Sequence, residues 1–116
     1  MEAVKLFGLR RCSTCVKARK WLNDNNIEHH FVDYRDEPLD SGLVVQWARQ
    51  LGWNVLINKA STSWRGLSDE QKQASDDDQW LALVAEHPTL IKRPVLVYGD
   101  RVAVGFSDTR YTELFA

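Results

Sequence analysis

An α/β fold built on a small mixed sheet is predicted by three features of this sequence. A short apolar run closed by glycine, "AVKLFG" (residues 3–8), leads into an amphipathic stretch and then into a second β-rich run, "HHFVDY" (29–34). Towards the other end, "RPVLVYGDRVAVGF" (93–106) sets two β-rich runs around Gly99-Asp100, a strong hairpin signal. Between these two β-bearing segments lies a stretch of helical character, about 40–88.

Each element follows from local chemistry. The first strand turns at Gly8 into a loop holding both cysteines of the chain, Cys12 and Cys15. Ser13 or Thr14 is the expected cap of the helix that follows. Ala18, Trp21, Leu22 and Asn25 fall on one side of it at spacings of three and four, with Lys17, Arg19 and Lys20 elsewhere. The helix is expected to end near "NDNN", before the second strand. Strand, helix and strand form a crossover unit, which is nearly always right-handed with parallel strands. Asp40 or Ser41 can cap a helix carrying Leu43, Val44, Trp47 and Leu51 and ending at Gly52. Ser68 and Gln71 form a capping-box pattern. "DDDQWLALVAEH" places acids at a helix start and His87 at its end, as the macrodipole favours. Ser107 or Asp108 caps a last helix with Tyr111, Leu114 and Phe115. The order βαβ, helical insert, ββα is the thioredoxin-like arrangement, with helices packed on the sheet.

Composition narrows the function. The 116 residues fit one domain, 1–116, and 44% hydrophobic content with five tryptophans supplies its core. A formal charge of -1 leaves no broad basic field for nucleic acid or an anionic membrane, so any anion site is local. No leader pattern and no run of about eighteen apolar residues is present, which predicts a soluble cytoplasmic protein. Two cysteines are too few for a disulfide scaffold. In a reducing compartment Cys-x-x-Cys points to catalysis or redox chemistry.

Cys12 sits between a strand end and a helix N-terminus, where free backbone N–H groups and the helix dipole stabilise a thiolate. Its thiol pKa is therefore expected to be depressed, with Arg10 and Arg11 adding positive potential. Cys15 reads in two ways: a small apolar filler on the inward side of the helix, or a thiol that resolves a mixed disulfide on Cys12. Of the tryptophans, Trp64, among Ser61, Thr62, Ser63 and Arg65, is the one expected near a site. His29 and His30 are adjacent in a strand and point to opposite faces, so no metal is expected. Asp76, Asp77 and Asp78 read as a helix start. No phosphate-binding glycine loop, nucleotide fingerprint or Ser/His/Asp pattern appears.

"CSTCVKARKWL", "LGWNVLINKASTSWRGL", "IKRPVLV" and "VGFSD" together resemble the arsenate-reductase-related (ArsC/Spx) family, most closely its YffB subgroup, from Val4 to about Tyr111. The resemblance implies a cis bond between Arg93 and Pro94 beside the cysteine loop, and an anion-binding, thiolate-stabilising role for Arg93. It also implies departures. Glutathione-dependent arsenate reductases carry an Arg-Lys-Asn stretch where this chain reads Asn58-Lys59-Ala60, and another arginine near Val104. Without those guanidinium groups, bidentate contact with a tetrahedral oxyanion is lost and arsenate binding is expected to be weak. Lys59 and Arg65 are the cations that can compensate.

The resulting expectation is a glutathione-linked thiol-disulfide reductase that uses the Cys12 thiolate, with Arg93 stabilising it and glutathione or Cys15 resolving the mixed disulfide. Glutathione is the expected co-substrate, with no bound cofactor, glutaredoxin is a possible partner, and the protein is expected to be a monomer. Two alternatives stay open. One is a glutathione- and glutaredoxin-dependent arsenate reductase. The other is a Spx-like redox-sensing transcriptional regulator, although the further C-terminal segment of those regulators is not found here.

Overall fold

The computed structural model describes residues 3–116. In chain order the elements are β1 (Val4–Gly8), α1 (Ser13–Asp24), β2 (His30–Asp33), α2 (Ser41–Leu51), α3 (Trp53–Leu56), α4 (Thr62–Arg65), α5 (Asp77–Glu86), β3 (Val95–Tyr98), β4 (Arg101–Val104) and α6 (Asp108–Leu114). The chain divides into two compact units. One holds the residues up to Glu37 together with Arg93–Ala116; the other is Pro38–Lys92.

The first unit carries the sheet, in the order β2-β1-β3-β4. β1 runs parallel to β2, pairing Leu6 with Phe31 and Gly8 with Asp33, and antiparallel to β3, pairing Leu6 with Leu96. β3 and β4 form the expected hairpin, with Tyr98 opposite Arg101. Gly99 takes φ 60° in its two-residue loop, a region that glycine enters without a Cβ penalty. The sheet is thus mixed, and with its helices it is the thioredoxin-like α/β fold that the element order predicts.

Val4 and Leu6 of β1, Ala18 and Leu22 of α1, Leu96 of β3 and Tyr111 of α6 form a buried core. Each fully buried leucine contributes roughly 1.5–3 kcal/mol of transfer free energy. The Tyr111 hydroxyl donates to the Gly105 carbonyl at 3.2 Å, so its polar end is satisfied. Trp21 lies at the edge of this core, its ring edge-on to Tyr111 and its Nε1 donating to Asp108. Asn25, expected on the inward side, is exposed and forms the helix C-cap instead.

The second unit has its own core, including Val44, Trp47, Leu56, Ile57, Trp80, Leu83 and Ile91. Asp40 caps α2 by accepting from the Leu43 amide, and Asp76 with Gln79 forms a reciprocal capping box on α5. The Ser68–Gln71 box is also present, but it opens only a three-residue 3-10 turn, Gln71–Gln73. Asp77 binds Arg49 and accepts from Trp53 Nε1, tying α5 to α2 and α3. Among the described residues no helix is long and apolar enough to cross a membrane.

Candidate active site

Parallel pairing of β1 and β2 brings the C-terminal ends of both strands to one edge of the sheet, and the site is built there. After β1 the chain turns tightly, with the Cys12 amide donating to the Leu9 carbonyl at 3.1 Å. After β2 the pairing continues by one bond, from the Tyr34 amide to the Gly8 carbonyl at 3.1 Å. Asp33 fastens the two segments together. Its Oδ2 accepts from the Arg10 amide at 3.0 Å and its Oδ1 from the Arg35 amide at 2.9 Å. These bonds spend a buried carboxylate, 8% exposed, on holding the cysteine loop. They also hold the Asp33 carboxyl below its ordinary range, the Arg10 amide first, with burial opposing and the Arg35 amide and guanidinium charges assisting.

Cys12 is itself the N-cap of α1, in place of the expected Ser13 or Thr14. It has extended backbone angles, φ -72° and ψ 123°, and its carbonyl accepts the first helical bond, from Val16 at 2.9 Å. No side-chain oxygen caps this helix end, so its amides are left to the sulfur. Burial pushes the Cys12 thiol up, but the Cys15 amide, the Cys15 thiol, the Thr14 amide and the Arg93 guanidinium together outweigh it and hold the thiol below its ordinary value. Cys15 shows the reverse. It has no exposed surface, and burial, reinforced by the negative charge on Cys12, pushes its thiol up to about 12. Three residues apart, one sulfur is poised as a thiolate and the other is kept as a thiol that donates to it.

The half-buried Cys12 opens on a cleft of about 770 Å³, also lined by Arg10, Arg11, Arg35 and Arg93 together with Asp33 and Asp36. Arg10 pairs with Asp36 at 2.5 Å. Arg11 and Arg35 are exposed and make no ion pair among the described residues. Arg93 precedes β3 through a cis bond to Pro94, as the resemblance implied, and Pro94 is buried with its carbonyl accepting from Gly105.

The other candidate residues belong to the second unit. Lys59 donates to Asn54 at 3.3 Å and lies over the Trp64 ring at 5.4 Å; Arg65 donates to the Ala60 carbonyl at 2.9 Å. Trp64 stacks on Trp80, with ring centroids 6.1 Å apart. All three are thus engaged within that unit. Position 58 is an asparagine whose carbonyl and side-chain oxygen accept from Ser61 and Ala60 in the turn before α4, and Val104 is buried in β4.

Asp33 and Arg35 line the site although no local motif marks them, Asp33 lying within the β-rich run "HHFVDY" and Arg35 just after it. The signal was present in the predicted parallel crossover: whatever follows the second strand must lie beside whatever follows the first.

A thioredoxin-like sheet with an activated cysteine at a helix start and an arginine beside it defines a protein suited to thiol chemistry. The chain belongs to the ArsC family, whose model matches residues 7–114. An uncharacterized protein of Haemophilus influenzae is 42% identical over 113 residues, 97% of this chain and 99% of that one. A solved YffB protein is 34% identical and superposes with a TM-score of 0.92 over 98% of this chain and 100% of its own. An arsenate reductase of Neisseria meningitidis is 29% identical, across 90% of this chain and 92% of that enzyme.

Proposed function

We propose that this ArsC-family protein is a thiol-disulfide reductase that uses glutathione as electron donor. The observation that carries the reading is the opposite treatment of the two sulfurs: Cys12 is favoured as a thiolate at a helix N-terminus beside Arg93, while Cys15 is buried and held protonated. The thiolate is the attacking species in disulfide exchange. Cys12 attacks the sulfur of a glutathionylated substrate; the substrate leaves as its thiolate, and glutathione stays joined to Cys12 as a mixed disulfide. A second glutathione thiolate then attacks that glutathione sulfur, releasing glutathione disulfide and returning the Cys12 thiolate. Two glutathionyl sulfurs end as one disulfide, so the electron pair given to the substrate is accounted for. Arg93 stabilises the negative sulfur whenever it forms. Glutathione carries two carboxylates, and Arg11 and Arg35 are exposed cations on the same cleft that form no ion pair among the described residues.

The test is turnover of a mixed disulfide between glutathione and a small thiol, followed by formation of glutathione disulfide. Wild-type protein should catalyse it and Cys12→Ser should not. Equal rates with and without the protein would overturn the reading. Arsenate as the substrate is disfavoured, because the chain has asparagine at 58 and valine at 104 where the resemblance calls for arginine.

A further inference from the structure

Tyr34 is 4% exposed, and among the described residues its buried hydroxyl oxygen has no partner at full hydrogen-bond geometry. A buried hydroxyl left in this state costs free energy that phenylalanine would avoid with the same packing. Its place explains what it faces. The Tyr34 amide bonds to Gly8 at the end of β1, and its two neighbours, Asp33 and Arg35, line the Cys12 cleft together with Arg93. Tyr34 is not itself among the lining residues, but it interacts electrostatically with Arg93, Cys15 and Cys12. Arg93 is the cation that acts on it, and the same guanidinium acts on Cys12. A guanidinium offers five donors in a fixed plane and cannot serve one sulfur with all of them. Its remaining N–H groups need an acceptor on the protein side, and the phenol oxygen is an unspent acceptor there.

We propose that Tyr34 is a positioning residue for the Cys12 chemistry, its hydroxyl receiving Arg93 and aiming the guanidinium at the Cys12 sulfur. The inference rests on the reading of Cys12 as the attacking thiolate. Tyr34 touches neither substrate nor the reacting bond; it acts through Arg93. Burial keeps the phenol protonated, so it orients the cation without adding a charge of its own. The other charged groups of the cleft, Arg10, Arg11, Arg35, Asp33 and Asp36, stay in place when only this hydroxyl is removed.

The experiment is the pH profile of Cys12 alkylation by iodoacetamide, measured for wild type, Tyr34→Phe, Arg93→Ala and the double variant, each in a Cys15→Ser background so that one thiol reports. Tyr34→Phe should raise the midpoint by about half a pH unit, a roughly threefold loss of thiolate at pH values below it. In the Arg93→Ala background the same change should have no effect. An unmoved midpoint in Tyr34→Phe, or an equal shift with and without Arg93, would overturn the proposal. A hydroxyl with a merely structural role would change the thermal midpoint and leave the profile where it was. If the wild-type midpoint itself lies near an ordinary cysteine's value of about 8.5, the reading of Cys12 fails instead, and the two failures are told apart.

Discussion

Gly8→Ala tests the packing that separates the two sulfurs. A Cβ added at position 8 would stand 2.5 Å from Cys15 Sγ, whereas ordinary contact begins at 3.4 Å, so about 0.9 Å must be found. Neither side can supply it easily. Gly8 is fixed by its pairing with Asp33 of β2 and by the bond its carbonyl accepts from the Tyr34 amide, and Cys15 is fully buried in the first turn of α1. Overpacking of this kind costs about 1–3 kcal/mol, and the lower chain entropy of unfolded alanine returns about 0.4–1 kcal/mol of it. A net loss of about 1–2 kcal/mol corresponds to a fall of roughly 4–8 °C in Tm for a domain of this size. The decisive measurement is a double-mutant cycle in urea. Cys15→Ala removes the obstructing sulfur, after which the nearest neighbours of the new Cβ are Cys15 Cβ at 3.6 Å and Phe31 Cε1 at 3.7 Å, both ordinary contacts. Gly8→Ala should then be neutral or stabilising in the Cys15→Ala background, with a coupling energy of about 1–3 kcal/mol. If it destabilises both backgrounds equally, the clash is not with the sulfur and the packing argument fails.

Cys15→Ser should retain most of the glutathione-dependent turnover that Cys12→Ser abolishes, because a fully buried thiol with a pKa of about 12 is a poor second nucleophile; equal inactivity in steady-state assays would make the pair the working couple. Asp33→Asn should lose about 1–3 kcal/mol at neutral pH, since one of two charge-assisted amide bonds goes. The folded carboxyl lies below its unfolded value, so its contribution is complete above an unfolded pKa of about 3.9 and is lost as pH falls through the folded value. Urea titrations from pH 7 down to 2.5 should therefore show a steeper acid decline in wild type than in Asp33→Asn, and parallel curves would refute the assignment. Arsenate reduction with glutathione and glutaredoxin should be low beside that of an ArsC-family arsenate reductase assayed alike; comparable rates would mean that other cations, such as Arg65, replace the missing arginines.

What could be read from the sequence was set by how local the deciding interaction is. The hairpin at Gly99-Asp100 and the boxes at Asp76–Gln79 and Ser68–Gln71 depend on residues within three or four positions, and all three are present. Within the helical insert, the segment between Gly52 and Ser68 holds only α3 and α4, single turns of four residues each, too short for a periodic pattern to mark their ends. The start of α1 differs from the expected one for a chemical reason. Hydroxyl and carboxylate side chains lead the N-cap preferences, so Ser13 or Thr14 is the expected cap, but Cys12 occupies the cap position. Cys12 and Arg93 are legible from the motif and the resemblance, whereas the contacts of Asp33 with Arg10 and of Tyr34 with Gly8 span more than twenty residues of chain.

Those long-range contacts follow from strand direction. In an open α/β sheet the carboxyl ends of parallel strands are where loops diverge and leave a crevice, and β1 and β2 deliver Cys12 and Asp33 to the same end. β3 runs antiparallel to β1, so its beginning, not its end, reaches that edge, and Arg93 stands just before it. Cys12 after β1, the Asp33 carboxylate at the end of β2 with Tyr34 just beyond it, and Arg93 before β3 are thus carried by three strand ends. A helix N-terminus alone lowers a thiol pKa wherever it occurs; what makes this edge selective is that the second thiol of the motif is turned inward against Gly8. Had position 8 carried a side chain, Cys15 could not occupy that place, and the asymmetry between the sulfurs would have to be built some other way.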